Sequence, residues 1–220
     1  MLDTTVGRKI VMAVTGQVMI LFAVVHVAGN STIFFGALNS YAQHLHALPQ
    51  LVWATRLVMI PALLLHVYFG IVLALDNREA KEEKYAVSTN LRSTFASRNM
   101  IWSGTLVAAF IVYHLLHFTF QVISPEISAL ANADALGRPD VTGMVVLGLR
   151  NVLVALIYIV SLAGVFLHLA HGTQSSFQTL GLSNDRAQPV IYKWGYIAAV
   201  VIFIAYVIIP VTAISGLLNG

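Results

Sequence analysis

The sequence of 220 residues contains no cysteine. Disulfide bonds, iron–sulfur clusters and thiolate metal sites are therefore excluded, because each of them needs cysteine sulfur. Charge is also scarce, since Asp, Glu, Lys and Arg make up 10% of the residues, whereas a soluble domain has about 25%. With 58% hydrophobic residues and a mean hydropathy of +0.82, the composition indicates an integral membrane protein.

Acidic residues are absent from the long apolar runs. All nine lie outside them: Asp3, Asp76, Glu79, Glu82, Glu83, Glu126, Asp134, Asp140 and Asp185. Carboxylate-relay proton pumps and cation antiporters keep acidic side chains on the transport path, so the sequence disfavours both classes. The net charge of +3 comes from Lys and Arg in loops and at helix ends, without a polybasic amphipathic face. Nucleic acid is therefore not an expected partner.

Five apolar runs are each long enough to span a bilayer, which takes about 20 residues. They cover roughly residues 10–35, 52–75, 100–123, 144–171 and 194–217. They predict an all-α bundle of five transmembrane helices in the lipid bilayer. The bundle forms a single domain over residues 1–220, without room for a soluble catalytic domain.

Lys and Arg are shared unevenly between the two sets of loops. Nine lie before helix one, between helices two and three, and between helices four and five: Arg8, Lys9, Arg78, Lys81, Lys84, Arg92, Arg98, Arg186 and Lys193. The other side has three: Arg56, Arg138 and Arg150. Because cytoplasmic segments collect Lys and Arg, the sequence predicts a cytoplasmic N-terminus and a C-terminus outside.

Four histidines lie within the first four apolar runs, one on each: His26, His66, His114 and His168. An ionisable side chain inside a membrane helix is costly and marks a functional site by default. At ~1.5 Å per helical residue, the first and third of them lie ~25 Å from the cytoplasmic boundary, and the other two ~10–15 Å from it. The depths therefore predict two pairs. The simpler alternative for any one histidine is a hydrogen bond to a neighbouring helix.

Two imidazoles that face each other from two helices can supply both axial ligands of a haem iron. We therefore interpret the pairs as sites for two b haems, with His26 and His114 on the outer haem and His66 and His168 on the inner one. Three glycines stand one turn from these histidines and would leave room for a flat macrocycle, or would equally serve close helix packing: Gly29, Gly70 and Gly164.

Other polar residues are candidates for secondary roles. His117 and His171 each lie three residues after a proposed ligand and so share its helix face, and we expect them to bind a haem propionate or a quinone rather than iron. Asn30 ends helix one, and the loop from residue 36 to 50 carries His44 and His46. These three are candidate partners of a quinone headgroup at the outer end. The alternative is that they cap helices and face water.

Four stretches carry a family resemblance. They are Leu21 to Asn30 around His26, Pro61 through His66 to Gly70, Tyr113-His114, and His168-Leu169-Ala170-His171-Gly172. In this order, one per helix and with a fifth helix that lacks histidine, they resemble the five-helix, dihaem cytochrome b subunit of succinate:quinone oxidoreductases. These complexes are called succinate dehydrogenase or fumarate reductase according to direction, and the resemblance runs over nearly the whole chain.

The resemblance implies the same ligand pairs, with His26 and His114 on the haem distal to the soluble subunits and His66 and His168 on the proximal one. It implies two cytoplasmic partners, a flavoprotein that interconverts succinate and fumarate and an iron–sulfur protein that exchanges electrons with the inner haem. The succinate chemistry, and every catalytic residue for it, would belong to the flavoprotein. Menaquinone is the expected quinone and the bacterial inner membrane the expected location, while dimerisation of the whole complex is left open.

Three alternatives stay open at this stage. The first is the dihaem anchor of a nitrate reductase, a formate dehydrogenase or a hydrogenase, which also uses histidines on four or five helices. Cytochrome b of the bc complexes is less suitable, because it carries two haem histidines on one helix. The third is a small permease or divalent-metal transporter that uses the histidines as metal ligands.

Overall fold

A computed structural model describes residues 4–80 and 94–218. Five helices are long and apolar enough to cross a membrane, and the described residues hold no β-strand, only one isolated bridge. This confirms the predicted all-α class and the five spans of a multi-pass membrane protein. Three of the basic residues behind the predicted orientation, Lys81, Lys84 and Arg92, lie outside the described residues, as do Asp3, Glu82 and Glu83. The orientation stays a prediction.

The spanning helices are α1, α3, α5, α7 and α8. Their bounds are α1 Thr5–Asn30, continued by a 3-10 turn Ser31–Phe35; α3 Pro49–Glu79; α5 Met100–His114, continued by a π-helical turn Leu115–Thr119; α7 Val152–Thr179; and α8 Gln188–Ile214. The short helices are α2 Leu38–His46, α4 Phe95–Arg98, α6 Val141–Arg150 and a 3-10 turn Pro125–Ile127.

The fourth span differs from the prediction of one helix over residues 144–171. The apolar run is divided at Asn151, whose backbone is extended and whose side chain accepts hydrogen bonds from the backbone N–H groups of Leu153 and Val154. This N-cap begins α7 and ends α6, because an asparagine side chain satisfies N–H groups that a continuous helix would bond internally. The spanning helix is therefore 152–179, and the residues before it form a separate short helix.

Four of the long helices form a bundle with two pairs of opposite corners. Helix α1 packs against α3 and α7, and α5 packs against α7 and α3, so α1 lies diagonally opposite α5 and α3 opposite α7. Arg8 at the start of α1 forms an ion pair with Asp76 at the end of α3, at 2.7 Å. Helix α8 packs outside the four, mainly on α7, and its Tyr206 hydroxyl donates to the Ala23 carbonyl at 2.8 Å.

Polar side chains of the spans are concentrated inside the bundle. Those that are buried in the spanning helices include Thr15, Ser103, Ser161, Gln174 and Ser176. Large apolar side chains such as Leu21, Leu57 and Val160 are exposed instead. This arrangement suits a bilayer, because lipid solvates apolar side chains and polar groups must find partners within the protein.

Helices α2 and α6 cap the end of the bundle that lies away from the start of α1. The cap is held by Asn39, 8% exposed, whose amide donates to Asp134 and Asp140 and whose carbonyl accepts from the backbone N–H and hydroxyl of Thr142. Arg138 forms an ion pair with Asp134 at 2.6 Å. The hydrogen bond from the Arg138 side chain is the main cause that lowers the pKa of Asp134 well below its usual range. The Arg138–Asp134 pair therefore stays charged at acidic pH values at which a free aspartate is protonated.

We expect replacement of Asn39 by Ala to loosen this cap. A buried amide with four partners leaves several polar groups unpaired when it is removed, which costs about 1–3 kcal/mol. The measurement is the midpoint of thermal unfolding in detergent, together with proteolysis of the α2–α6 segment. The matched control is Asn99→Ala, because Asn99 is partly exposed and its side chain bonds only the preceding helix turn, at Phe95. Equal midpoints for the two variants would contradict the role of Asn39.

Candidate functional site

The four histidines of the spans meet as two pairs inside the bundle. The ring centres of His66 and His168 lie 6.1 Å apart, with the ring planes at 67°. Those of His26 and His114 lie 5.9 Å apart, at 89°. The structure thus brings together the residues that the depth estimate paired. Each pair joins helices at opposite corners of the bundle, so each pair crosses the bundle centre.

The two pairs occupy different levels along the bundle. The inner pair lies beside residues 15 and 16 of α1, while the outer pair includes His26 of the same helix. Ten residues of helix separate the two levels, which is ~15 Å along the axis. The pairs are thus stacked along the bundle.

The inner His66 has a defined proton position. Its Nδ1 lies 3.0 Å from the backbone carbonyl oxygen of Met12 and 3.3 Å from the hydroxyl oxygen of Thr15. A carbonyl only accepts, so Nδ1 of His66 carries the proton and donates it. The Thr15 hydroxyl gives its own proton to carbonyls of α1, which leaves its oxygen able to accept from the ring. Nε2 of His66 then keeps a free lone pair, as a metal ligand requires.

His168 stands in the same relation to α5. Its Nδ1 lies 3.4 Å from the hydroxyl oxygen of Ser103. The Met100 carbonyl, at 3.1 Å, is an acceptor for the proton of that hydroxyl, so the hydroxyl oxygen is able to accept from an Nδ1–H of His168. With the proton on Nδ1, His168 presents Nε2 as the unprotonated nitrogen, as His66 does.

Two glycines that the sequence analysis missed make room for these rings. A Cβ atom on Gly16 would lie 3.2 Å from Cε1 of His66, and one on Gly104 would lie 3.3 Å from Cε1 of His168. The signal was present in the sequence, since each glycine follows the hydroxyl residue that bonds the same ring. Without the helix pairing, however, neither dipeptide could be assigned to a histidine on another helix.

The glycines expected to leave room for a macrocycle face protein side chains instead. A Cβ on Gly29 would collide with the Tyr41 ring, and one on Gly164 would lie 2.6 Å from Leu106. A Cβ on Gly70 would lie 4.0 Å from the sulfur of Met12. Gly29 and Gly164 therefore correspond to the alternative, close packing against neighbouring elements, whereas a side chain at Gly70 would make only an ordinary contact.

The outer pair has different hydrogen-bond partners. The hydroxyl of Tyr158 lies 3.5 Å from Nδ1 of His114. The side-chain amide of Asn30 donates to the His26 carbonyl at 2.8 Å and lies 3.4 Å from Nε2 of His26. Asn30, a quinone candidate from the sequence, is thus placed against the outer pair itself.

His117 is buried beside the outer pair, with 2% of its surface exposed. Its Nδ1 lies 3.1 Å from the Tyr158 hydroxyl, and its ring stacks on Phe118 with centres 4.0 Å apart. Its Nε2 is the one buried side-chain polar atom without a hydrogen-bond partner among the described residues. That atom faces Gly148 of α6, where a Cβ would lie 3.1 Å away. His117 therefore turns away from the pair centre.

The remaining candidates lie apart from the two pairs. His171 is half-buried on α7, one turn beyond His168. His44 and His46 lie on α2, where each Nδ1 bonds a backbone carbonyl of its own helix, at 2.7 and 2.8 Å, in exposed positions. The loop expected around them is therefore a helix that leaves both histidines exposed.

The spacing of each pair fits one metal between two imidazoles. An imidazole nitrogen lies about 2 Å from a bound metal and about 1 Å from its ring centre, so opposed rings stand about 6 Å apart. The observed 5.9 and 6.1 Å match this distance. Among the described residues no three His, Asp or Glu side chains come together as a metal site. The donor set is therefore two imidazoles per site, the number that a haem with bis-histidine ligation uses.

We expect Gly104→Leu to destabilise the protein, because its side chain must displace the His168 ring. Overpacking of this kind costs about 1–3 kcal/mol. The measurement is the thermal unfolding midpoint of the purified protein in detergent. Gly172→Leu is the matched control, since nothing lies within 4 Å of a Cβ at Gly172. A midpoint for Gly104→Leu equal to that of the control would mean that the ring position tolerates the side chain.

Comparison of the chain with protein-family models, with curated proteins and with solved structures finds no match. The function is therefore inferred from the site itself. Its basis is the pair of two-imidazole donor sets, at two levels of a five-helix membrane bundle.

Proposed function

We propose that this protein is the membrane cytochrome b subunit of a succinate:quinone oxidoreductase and binds two b haems. The observation that carries the proposal is the crossing of the bundle by two histidine pairs, with ring centres 5.9 and 6.1 Å apart. In this proposal His26 and His114 hold the outer haem, and His66 and His168 hold the inner one. The succinate assignment among dihaem membrane anchors rests on the resemblance of the four histidine stretches.

The donor chemistry favours haem over a transported metal ion. Protein zinc sites use three or four ligands, and each pair here offers two imidazoles, with no carboxylate among the described contacts of the four rings. A permease would also need a path that a hydrated ion can follow. The two-donor geometry therefore supports axial ligation of an iron whose other four ligands come from a porphyrin.

The bound haems would supply one-electron redox chemistry, and the chain's residues fix where and how they are held. Two axial imidazoles leave no coordination position for oxygen, which favours electron transfer. Thr15, Met12 and Ser103 are the acceptors for Nδ1–H of the inner imidazoles, so that Nε2 of each ring would be available to hold the iron. The apolar helices around the pairs exclude water and so set the dielectric around the redox centres.

The soluble partners in this proposal are a flavoprotein and an iron–sulfur protein at the end where α1 begins. The inner pair lies nearer that end, so electrons would enter or leave there. At the opposite end, menaquinol or menaquinone would react near Asn30, which contacts His26, and near the exposed His44 and His46 of α2. The proposal thus places electron entry and quinone chemistry at opposite ends of the stacked pairs.

The purified protein should contain two low-spin b haems per chain, because each histidine pair completes one bis-histidine site. A pyridine haemochrome assay against protein mass measures the ratio, and the reduced-minus-oxidised spectrum reports the spin state. A ratio of one, or none, would contradict the proposed pairs.

Replacement of single histidines distinguishes ligands from neighbours. His168→Ala should halve the haem content and uncouple succinate oxidation from quinone, whereas His171→Ala should keep both haems. His171 is the matched control, since it lies one turn away on the same helix and is half-buried. Loss of haem in His171→Ala with full retention in His168→Ala would reverse the assignment on α7.

The double replacement of His44 and His46 by Ala should slow quinol oxidation while both haem spectra stay unchanged. The reason is that imidazole side chains can exchange protons with a quinone headgroup. Fumarate reduction with an artificial donor, which bypasses the quinone, is the control activity. Unchanged quinol turnover would move the quinone site away from α2.

A further inference from the structure

The two histidines of the inner pair are held by a repeated dipeptide. Thr15-Gly16 on α1 contacts His66. The Thr15 hydroxyl oxygen lies 3.3 Å from Nδ1, and a Cβ atom placed on Gly16 would lie 3.2 Å from Cε1. Ser103-Gly104 on α5 contacts His168 in the same way. The Ser103 hydroxyl oxygen lies 3.4 Å from Nδ1, and a Cβ atom placed on Gly104 would lie 3.3 Å from Cε1. We call each of these a hydroxyl–glycine step. Two steps on different helices thus hold two rings in the same way.

The repeat extends along both helices. In α1 the histidine of the outer pair follows Gly16 by ten residues, and in α5 His114 follows Gly104 by ten residues. Each of these helices therefore provides a hydroxyl–glycine step at the inner level and a ligand candidate at the outer level. The equal spacing places the two steps opposite each other across the bundle, on either side of the inner pair.

The outer pair has no such step. Its ring nitrogens meet Tyr158 at 3.5 Å and Asn30 at 3.4 Å, and no hydroxyl of Ser or Thr is among their described partners. The inner and outer sites share the same donors and spacing and differ in the groups that hold the rings. The groups behind the imidazoles are therefore the feature that distinguishes the two sites.

Resting on the proposed function, we infer that Thr15 and Ser103 are positioning residues that set the protonation and orientation of the inner imidazoles and so tune the inner haem separately from the outer one. An acceptor on Nδ1–H makes an imidazole a stronger donor to its metal, which stabilises the oxidised iron. Removal of the acceptor should therefore raise the midpoint potential of the inner haem. The glycine of each step lets the ring approach the hydroxyl, because a side chain there would meet Cε1.

The two hydroxyl–glycine steps should not contribute equally to the midpoint potential of the inner haem. Nδ1 of His66 keeps the Met12 carbonyl at 3.0 Å when the Thr15 hydroxyl is removed. Nδ1 of His168 has the Ser103 hydroxyl as its one described partner. Ser103→Ala should therefore shift the inner midpoint potential further than Thr15→Val does. A purely structural role of the two residues predicts no such order.

The experiment is a spectroelectrochemical titration of both haems in the wild type, Ser103→Ala and Thr15→Val. The expected result is an upward shift of the inner potential, larger in Ser103→Ala, with the outer potential unchanged. Ser103→Thr and Thr15→Ser, which keep the hydroxyl, should restore the wild-type values. Thr105→Ala is the matched control on α5, since the Thr105 hydroxyl is exposed and bonds only its own helix at Ile101.

A second measurement does not depend on haem. In haem-free protein labelled with ¹⁵N-histidine, the nitrogen shifts report which ring nitrogen carries the proton. His66 and His168 should be protonated at Nδ1 in the wild type, and His168 should lose that preference in Ser103→Ala. This result in a protein that does not take up haem when haem is supplied would refute the proposed function and support the positioning role. Unchanged nitrogen shifts in Ser103→Ala, or equal shifts of both haem potentials, would overturn the inference.

Discussion

The hydrogen bond behind each membrane-embedded imidazole is the constraint on which the rest of this structure depends. A histidine in a bilayer core has two ring nitrogens and no water, so each nitrogen needs a partner or a lone pair directed at a ligand. At the inner level Met12, Thr15 and Ser103 occupy Nδ1 of the two rings. This leaves both Nε2 atoms unprotonated, and an unprotonated ring nitrogen is what allows the inner pair to bind a metal.

Each histidine pair joins two helices at opposite corners of the bundle, and this placement meets the same need for partners of the ring nitrogens away from water. Adjacent helices pack too closely for a planar group between them, whereas opposite corners of a four-helix bundle leave a central gap that only long side chains reach. The histidines of α1 and α5, and of α3 and α7, meet across this gap with ring centres about 6 Å apart. Helix α8 supplies no histidine to either pair and packs outside the bundle, mainly on α7, with the ring of its Tyr206 centred 6.2 Å from the ring of His26.

Much of this architecture could be predicted from the sequence, because hydropathy and charge act at the scale of whole helices. Five spans follow from apolar runs, and the pairing of His66 with His168 follows from depth. The break at Asn151 could not be predicted, because apolar residues continue on both sides of the cap. The helix α2 was not predicted either, since its polar residues resemble a loop until Asn39 is seen to bond the segment before α6 and the first turn of α6. Caps of this kind are decided by single side chains rather than by composition.

The difference between the two sites was beyond prediction for another reason. Depth and spacing treat the four histidines alike, so they predict two equivalent bis-histidine sites. The structure separates them through the groups that contact the rings. These are hydroxyl–glycine steps on other helices at the inner level, and Tyr158 on α7 together with Asn30 and buried His117 on the same spans as the ligand candidates at the outer level. At the inner level, contacts between helices decide which nitrogen of each ring is free. Under the proposed haem ligation, two sites with identical ligands would therefore differ in midpoint potential, because the hydrogen bonds to their imidazoles differ.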